Sequence, residues 1–327
     1  MTRAGALRVV TFGELLLRLS PPGEERLLAS PELLTFWGGA EANVAVGLSH
    51  LGVRCDYVTR VPANPIGDAG IAALRQEGVG TEWIQRGGER MGLYFVEPGH
   101  DLRTMRVVYD RAGSAFARLD PASLDWSAVL AGAGHFHASG ITPALGEGPA
   151  AALGDAVACA RAQGTPVSLD LNYREALWRG RDPRPVIEPL AQGVDVLIGN
   201  PAAVRAMLGV AAENECEVAR RIVDSCGCRV VALTSREVLG AREHGWSAVI
   251  YDAATGSLLR SRRHVVRVVD RVGGGDGFAA GLIAAMVNRR ATPEALEFAV
   301  AAGALKLTVP GDFCRVSAAE VERLLQS

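Results

Sequence analysis

An apolar run, Val265-Val266-Arg267-Val268-Val269, leads through Asp270-Arg271-Val272 into three consecutive glycines, Gly273, Gly274 and Gly275. Asp276 follows at once, and then a small-residue helical pattern of Ala279, Ala280, Leu282, Ile283 and Met286. These residue types in this order predict a strand, a tight turn and a helix N-terminus. Successive glycines let backbone N–H groups converge on an anion, and the helix dipole favours negative charge there. An aspartate beside such an anion hole repels phosphate. Its presence fits a site where a hydroxyl loses its proton while attacking a phosphoryl group held by those amides. The same residues also suit a plain tight turn with Asp276 as a helix cap, so this segment alone does not decide between the two.

Other candidate chemistry is sparse. Lys306 is the only lysine, so arginine carries nearly all the positive chemistry and is suited to paired contacts with carboxylate or phosphate. The six cysteines, Cys55, Cys159, Cys216, Cys226, Cys228 and Cys314, form no CxxC pair and have no histidine cluster beside them. They read as buried reduced thiols rather than a zinc site. His135 and His137 are read as structural histidines on opposite faces of a strand, not as a chelating pair. The net charge of −2 points away from nucleic acid and anionic membrane as partners. With no signal peptide or long apolar run in the sequence, a cytoplasmic location is expected.

The elements that must position these residues alternate. Strands are expected at 8–12, 54–59, 134–138, 167–171, 194–198 and 229–234. Helices are expected at 42–51, 68–77, 148–163, 215–225, 293–307 and 317–325. At 327 residues and 49% hydrophobic, such a chain can build a large, mostly parallel, doubly wound α/β body. Ligands then lie beyond the carboxyl ends of the strands, where Gly13, Asn172, Asn200, Thr234 and Gly273 are expected to fall. Residues at about 14–37 and 90–111 break the rhythm with extended pairs and no intervening helix. They predict a small β-sheet inserted into the body as a lid. Its exposed edges and apolar face suggest a homo-oligomer formed through the lid.

The combination becomes recognisable at this point. Gly38-Gly39-Ala40-Glu41-Ala42-Asn43 resembles the N-terminal glycine signature of the ribokinase-like (PfkB-type) carbohydrate kinases. Asp270-Arg271-Val272-Gly273-Gly274-Gly275-Asp276 resembles their C-terminal signature, normally Asp-Thr-x-Gly-Ala-Gly-Asp. The resemblance extends from the first strand to Ser317. Within the family, Tyr109-Asp110-Arg111-Ala112-Gly113-Ser114, Asp170-Leu171-Asn172-Tyr173-Arg174 and Pro310-Gly311-Asp312-Phe313 look like its kinases of 2-keto-3-deoxygluconate.

The resemblance implies a ribokinase-like three-layer sandwich with a central, mostly parallel sheet and a small β-sheet lid, the whole chain 1–327 forming one kinase domain. It implies transfer of the γ-phosphoryl group of ATP, with Mg²⁺, to the terminal hydroxyl of the sugar acid. Asp276 is then the general base, and the amides of Gly273, Gly274 and Gly275 form the anion hole. Gly39, Asn43, Tyr94, Tyr109, Arg111, Arg174 and Asp312 are implied sugar-acid contacts, with Arg111 and Arg174 meeting the carboxylate and Arg174 also near the transferred phosphate. Asn172, Asn200, Thr234 and Gly245 are implied nucleotide contacts, and Glu41 reads as a cap or supporting residue.

Two departures stand out. The family's Thr-Leu-Gly-x-x-Gly turn is replaced by Leu233-Thr234-Ser235-Arg236-Glu237 with Gly245 after an insertion, and its Asn-x-x-Glu element reads Asn200-Pro201-Ala202-Ala203. The metal ligands therefore stay unknown. Kinases of 2-ketogluconate, 2-keto-3-deoxygalactonate or fructose, and a catalytically weak sugar-acid sensor, remain alternatives.

Overall fold

A computed structural model describes residues 7–100, 102–240 and 242–326. Residue 101, inside the second of the two expected lid segments, and the extreme ends of the range 1–327 lie outside the described residues. The principal sheet has ten strands. Seven run in parallel, in the order Val230–Val238, Val196–Gly199, Val167–Asp170, Ala133–Ser139, Arg8–Phe12, Cys55–Val61 and Ile84–Arg86. Strand Glu243–Asp252 extends the edge antiparallel to Val230–Val238, and Ser257–Arg260 and His264–Arg267 both pair with it.

Central strands such as Val196–Gly199 and Val167–Asp170 are buried at every position, as expected when helices cover both faces of a parallel sheet. The period-two pattern divides the core. Val9 belongs to one apolar cluster, while its neighbours Val10 and Phe12 belong to the other. Helices Ala40–His50, Gly274–Val287 and Thr292–Lys306 cover the first face. They approach closely because their contact residues are small: a Cβ on Gly47 would stand 2.8 Å from that of Ala280, and one on Gly281 would stand 2.8 Å from the Cα of Ala299.

A separate four-stranded sheet is ordered Leu34–Gly38, Leu16–Ser20, Gly92–Glu97, Arg106–Asp110. Its two central strands are parallel and its outer pairs antiparallel. Burial alternates along Leu16–Ser20 and along Arg106–Asp110, the signature of a sheet with one face packed and one face open.

Several expectations need correction. The helix read as 68–77 begins earlier, at Pro65–Gln76, because Asn64 caps it by accepting from the amides of Ile66 and Gly67 and proline suits the first helical position. The strand expected to end at Thr234 runs to Val238, held by antiparallel pairing with Glu243–Asp252 after its parallel pairing stops at Leu233. Gly273 is not at the end of a parallel strand. The preceding strand, His264–Arg267, is antiparallel at the sheet edge, and residues 268–272 carry the chain inward to Gly273. There, the amides of Val269 and Asp270 bond to Leu307 O.

His135 and His137 do not face opposite ways. Residues two apart on a strand share a face, and both rings bond the same Ser168 hydroxyl at 2.8 Å. Burial drives their pKa values down to about 4 and about 3, so both are neutral structural groups. All six cysteines are free, but Cys216 is exposed and Cys159 only partly buried. Among the described residues no helix is long and apolar enough to cross a membrane.

Candidate active site

The order of the parallel strands reverses between Arg8–Phe12 and Ala133–Ser139, and a cleft of about 940 Å³ opens beyond their carboxyl ends. Main-sheet loops, the N-termini of helices Ala40–His50, Glu175–Trp178, Pro201–Leu208 and Gly274–Val287, and the small sheet all contribute to its walls. Every sequence-predicted site residue lines it except Gly245. Gly245 sits within strand Glu243–Asp252 opposite Glu237, and a Cβ there would meet the Arg263 guanidinium at 2.7 Å. The reason is the longer strand: with Val230–Val238 running on as a hairpin, the adjacent Trp246, rather than Gly245, faces the cleft.

Asp276 is at the centre, in the first turn of helix Gly274–Val287. The cap, Gly273, is left-handed (φ 86°) and offers no side-chain hydrogen bond. A Cβ on Gly273 would stand 2.5 Å from Asp312 O and 2.8 Å from Lys306 Cε, so this position requires glycine. The first-turn amides of Gly274, Gly275 and Asp276 have no intrahelical acceptor and are available to an anion. Gly275 has open space where a Cβ would be.

Asn43 Nδ2 donates to Asp276 Oδ2 at 2.7 Å, while the buried Asn43 Oδ1 has no partner. An orphaned buried acceptor facing a cleft calls for a donor such as a hydroxyl. Helix Ala40–His50 presents Asn43, and Gly39 begins it with φ 131°, where a Cβ would overlap Glu14 O. Burial raises the Asp276 pKa, opposed by the Asn43 hydrogen bond and by the charges of Arg174 and Lys306.

A second carboxyl, Asp170, lies nearby. Burial and then the charge of Asp276 push it up to about 7. Asp170 Oδ1 accepts from the amide of Asn172 at 3.0 Å, fixing that asparagine in a left-handed conformation (φ 40°) with its side chain between the two carboxyls. Glu41, buried with its pKa raised by burial, accepts from the amide and hydroxyl of Ser139 and from Thr142. That ties the helix start to the end of strand Ala133–Ser139, a supporting role. Lys306 is also structural: its buried ammonium donates to Val309 O and Gly311 O.

At the small-sheet end the arginines are not free cations. Arg111 is buried and ion-paired with Glu14, whose carboxylate also accepts from Ser114. Arg18, which the sequence reading passed over, bonds Asp270 and Asp312, both at 2.8 Å. Asp312 additionally accepts from Tyr94, whose ring stacks on Tyr109 at 5.9 Å. The expectation that Arg111 neutralises a substrate carboxylate therefore changes: Glu14 already balances its charge, and what it can offer a ligand is its remaining N–H directions.

Arg174, by contrast, is exposed at the start of a short helix, its bond going to Tyr173 O at 3.2 Å. Thr234, Ser235, Arg236, Arg271 and Asn200 line the cleft as well. Asn200 caps helix Pro201–Leu208 by accepting from the amide of Ala203, and Thr234 donates to Gly199 O. Among the described residues no group of three or more His, Cys, Asp or Glu could cage a metal.

Comparison with known proteins agrees with this geometry. The model of the pfkB family carbohydrate kinases matches residues 6–314. A 2-dehydro-3-deoxygalactonokinase of Haloferax volcanii is 33% identical over 97% of this chain and 96% of its own length. A 2-dehydro-3-deoxygluconokinase of Thermoproteus tenax is 31% identical, over 98% and 95%. The crystal structure of a 2-dehydro-3-deoxygluconokinase from Thermotoga maritima superposes with a TM-score of 0.95 at 40% identity, covering 98% of both chains. The chain belongs to the pfkB family of carbohydrate kinases.

Proposed function

We propose that this kinase transfers the γ-phosphoryl group of ATP to the terminal hydroxyl of 2-keto-3-deoxygluconate, giving 2-keto-3-deoxy-6-phosphogluconate. The observation that carries the reading is a buried carboxylate, Asp276, in the same first helical turn as the free amides and beside the orphaned acceptor of Asn43. The sugar oxygen forms a bond to the γ-phosphorus while the bond to the β-bridging oxygen breaks. ADP leaves, and the hydroxyl proton passes to Asp276. The first-turn amides and the helix dipole stabilise charge on the transferred group.

On the sugar side, Gly39, Asn43, Tyr94, Tyr109, Asp312 and the Glu14-held Arg111 orient the substrate, and Arg174 supplies the uncompensated positive charge for its carboxylate or for the phosphate. Asn172, Asn200 and Thr234 face the nucleotide. The glycine cradle and the arginines suit a triphosphate. Among the described residues no acidic cluster cages Mg²⁺, which suits an ion that would be held by nucleotide phosphates and water and would supply charge neutralisation there. The small sheet acts as the lid. Exposed Leu34 and Val108 on its outer strands favour pairing of two lids, and sedimentation showing only monomer at micromolar concentration would remove that part of the reading.

The Haloferax relative favours a second reading, in which the substrate is the galactonate isomer. A coupled ATP–Mg²⁺ assay with 2-keto-3-deoxygluconate, 2-keto-3-deoxygalactonate, 2-ketogluconate and fructose separates the two. The expected result is turnover confined to the 3-deoxy keto acids, fastest with the gluconate, and reduced about 10² to 10⁴-fold in a folded Asp276→Asn protein. Turnover of fructose alone, or an unimpaired Asp276→Asn enzyme, overturns the assignment.

A further inference from the structure

Lys306 ends helix Thr292–Lys306, and none of its surface is exposed. Its stem passes beneath the first turn of the helix that carries Asp276. A Cβ on Gly277 would stand 3.0 Å from Lys306 Cβ, and one on Gly273 would stand 2.8 Å from Lys306 Cε. The ammonium then donates to Val309 O at 3.2 Å and to Gly311 O at 2.8 Å. Those acceptors are main-chain dipoles, not carboxylates. Gly273, Leu307 and Asp312 line the cleft, while Lys306 itself does not.

Holding the turn does not by itself call for a charge. Uncharged bonds already lace the two segments together, since the amides of Val269 and Asp270 donate to Leu307 O. Asp270 in turn accepts from the amides of Val272 at 3.0 Å and Gly311 at 3.1 Å. A buried cation held only by dipoles is costly. The buried Arg18 and Arg111 are each given a carboxylate at ion-pair distance, and Lys306 is held by carbonyls instead. Burial lowers its pKa, opposed by Asp270 and more weakly by Cys314 and Asp276. The charge of Lys306 acts back on Asp276, favouring the carboxylate form.

We propose that Lys306 is a positioning residue whose fixed charge, set directly behind the glycine turn, strengthens the anion hole for the transferred phosphoryl group and keeps Asp276 ionised. The inference rests on the kinase reading above. Lys306 touches neither sugar nor nucleotide and acts through Gly273 and the first-turn amides. A charge in a dry wall is weakly screened, so it adds to the field those amides and the helix dipole create. Its compact ammonium is a point charge, and main-chain carbonyls that accept from it suit a small monovalent cation equally well. The charge can therefore be separated from the side chain by experiment.

Lys306→Ala removes the charge and leaves room for a small cation, whereas Lys306→Met removes the charge and keeps the stem. Both are assayed with ATP, Mg²⁺ and 2-keto-3-deoxygluconate in tetramethylammonium chloride, then with ammonium, methylammonium or potassium chloride at equal ionic strength. We expect kcat to fall about 100-fold in both variants while the sugar KM stays within about threefold of wild type. Ammonium or potassium should restore about tenfold or more of the lost kcat in Lys306→Ala and none in Lys306→Met, whose stem fills the space. A merely structural lysine gives lower melting temperatures and no rescue by any cation. Because Lys306 is the only lysine, ¹⁵N-lysine labelling of the wild type yields a single side-chain Nζ signal. It should be that of an ammonium at neutral pH, and it should shift when MgADP binds with aluminium fluoride as a mimic of the transferred group. An unimpaired kcat in folded Lys306→Met, no cation rescue in folded Lys306→Ala, or an Nζ signal of a neutral amine overturns the proposal. If neither variant folds, the labelled wild type decides alone. A wild type that shows the ammonium signal and its shift yet phosphorylates no sugar acid would instead sink the kinase reading and leave the role of Lys306 standing.

Discussion

Replacing Asp170 by asparagine should make the protein more stable and the enzyme slower. In the folded chain this carboxyl is pushed from 3.8 up to about 7, first by burial and then by the charge of Asp276. A folded-state pKa above the unfolded value means that the group's favourable contribution is complete only in acid. It is lost as pH rises through the folded value. Holding Asp170 ionised at pH 8 therefore costs about 4 kcal/mol relative to a neutral group, by linkage. Asparagine carries no charge, and its Oδ1 can still accept from the Asn172 amide that Asp170 holds at 3.0 Å.

The advantage of Asp170→Asn should widen by about 2 to 3 kcal/mol between pH 5 and pH 8, which for a chain of this size is ~4 °C in Tm. Thermal melts followed by circular dichroism at pH 5, 6.5 and 8 measure it directly. Asp276→Asn removes the charge that acts on Asp170, so it should shift the melts in the same direction, and the double variant should gain less than the sum of the two. An Asp170→Asn protein that melts at or below wild type at pH 8, or a gap that does not change with pH, refutes the argument. A stabilising change in the middle of a reactive site is the expected trade of stability for function.

The glycine cradle yields a contrasting pair. Gly273→Ala places a side chain at positive φ and 2.5 Å from Asp312 O, so it should lower Tm and reduce kcat/KM more than tenfold, whereas Gly275→Ala meets nothing and should hold or raise Tm while still slowing turnover by intruding on the anion's space; equal melting temperatures for the two variants would contradict this. Glu14→Ala leaves the Arg111 guanidinium buried without its partner, at about 3 to 5 kcal/mol of stability, and should raise the sugar KM while the ATP KM stays within about twofold; a variant with normal stability and normal sugar KM would show that the pair positions nothing. Activity needs Asp276 ionised, so kcat/KM should fall in acid with a limb above the usual aspartate range, and that limb should move to still higher pH in Arg174→Ala because Arg174 favours the carboxylate form; a limb at an ordinary aspartate value, or one that ignores Arg174, would count against Asp276 as the base.

Local signals in the sequence were enough for the alternation of strands and helices, because buried parallel strands read as short apolar runs bounded by glycine and proline. They were also enough to mark Gly273 and Asp276 at a helix start, whereas Gly39 and Asn43 joined them only through the resemblance to the two glycine signatures of the family. Partners brought from far along the chain were not readable. Arg111 meets Glu14 from 97 residues away, and Arg18 meets Asp270 and Asp312 from 252 and 294 residues away. Periodicity shows which face is buried but not which distant carboxylate waits there, so Arg111 read as an open cation and Arg18 did not register. Gly245 failed for a different reason: a turn pattern was sought where the backbone continues as a strand. The histidine pair was a misapplied period, since two residues along a strand is a full repeat.

Lys306 has a practical consequence. It is the only lysine in the sequence and its side chain is fully buried, packed under the left-handed Gly273. Apart from the terminal amine, the folded protein offers no primary amine to activated esters, aldehydes or reducing sugars. Acylation at Lys306 must wait until the glycine turn opens. The mass increment at this one side chain is thus a built-in reporter of local opening, and a bound nucleotide that steadies the turn should slow its appearance.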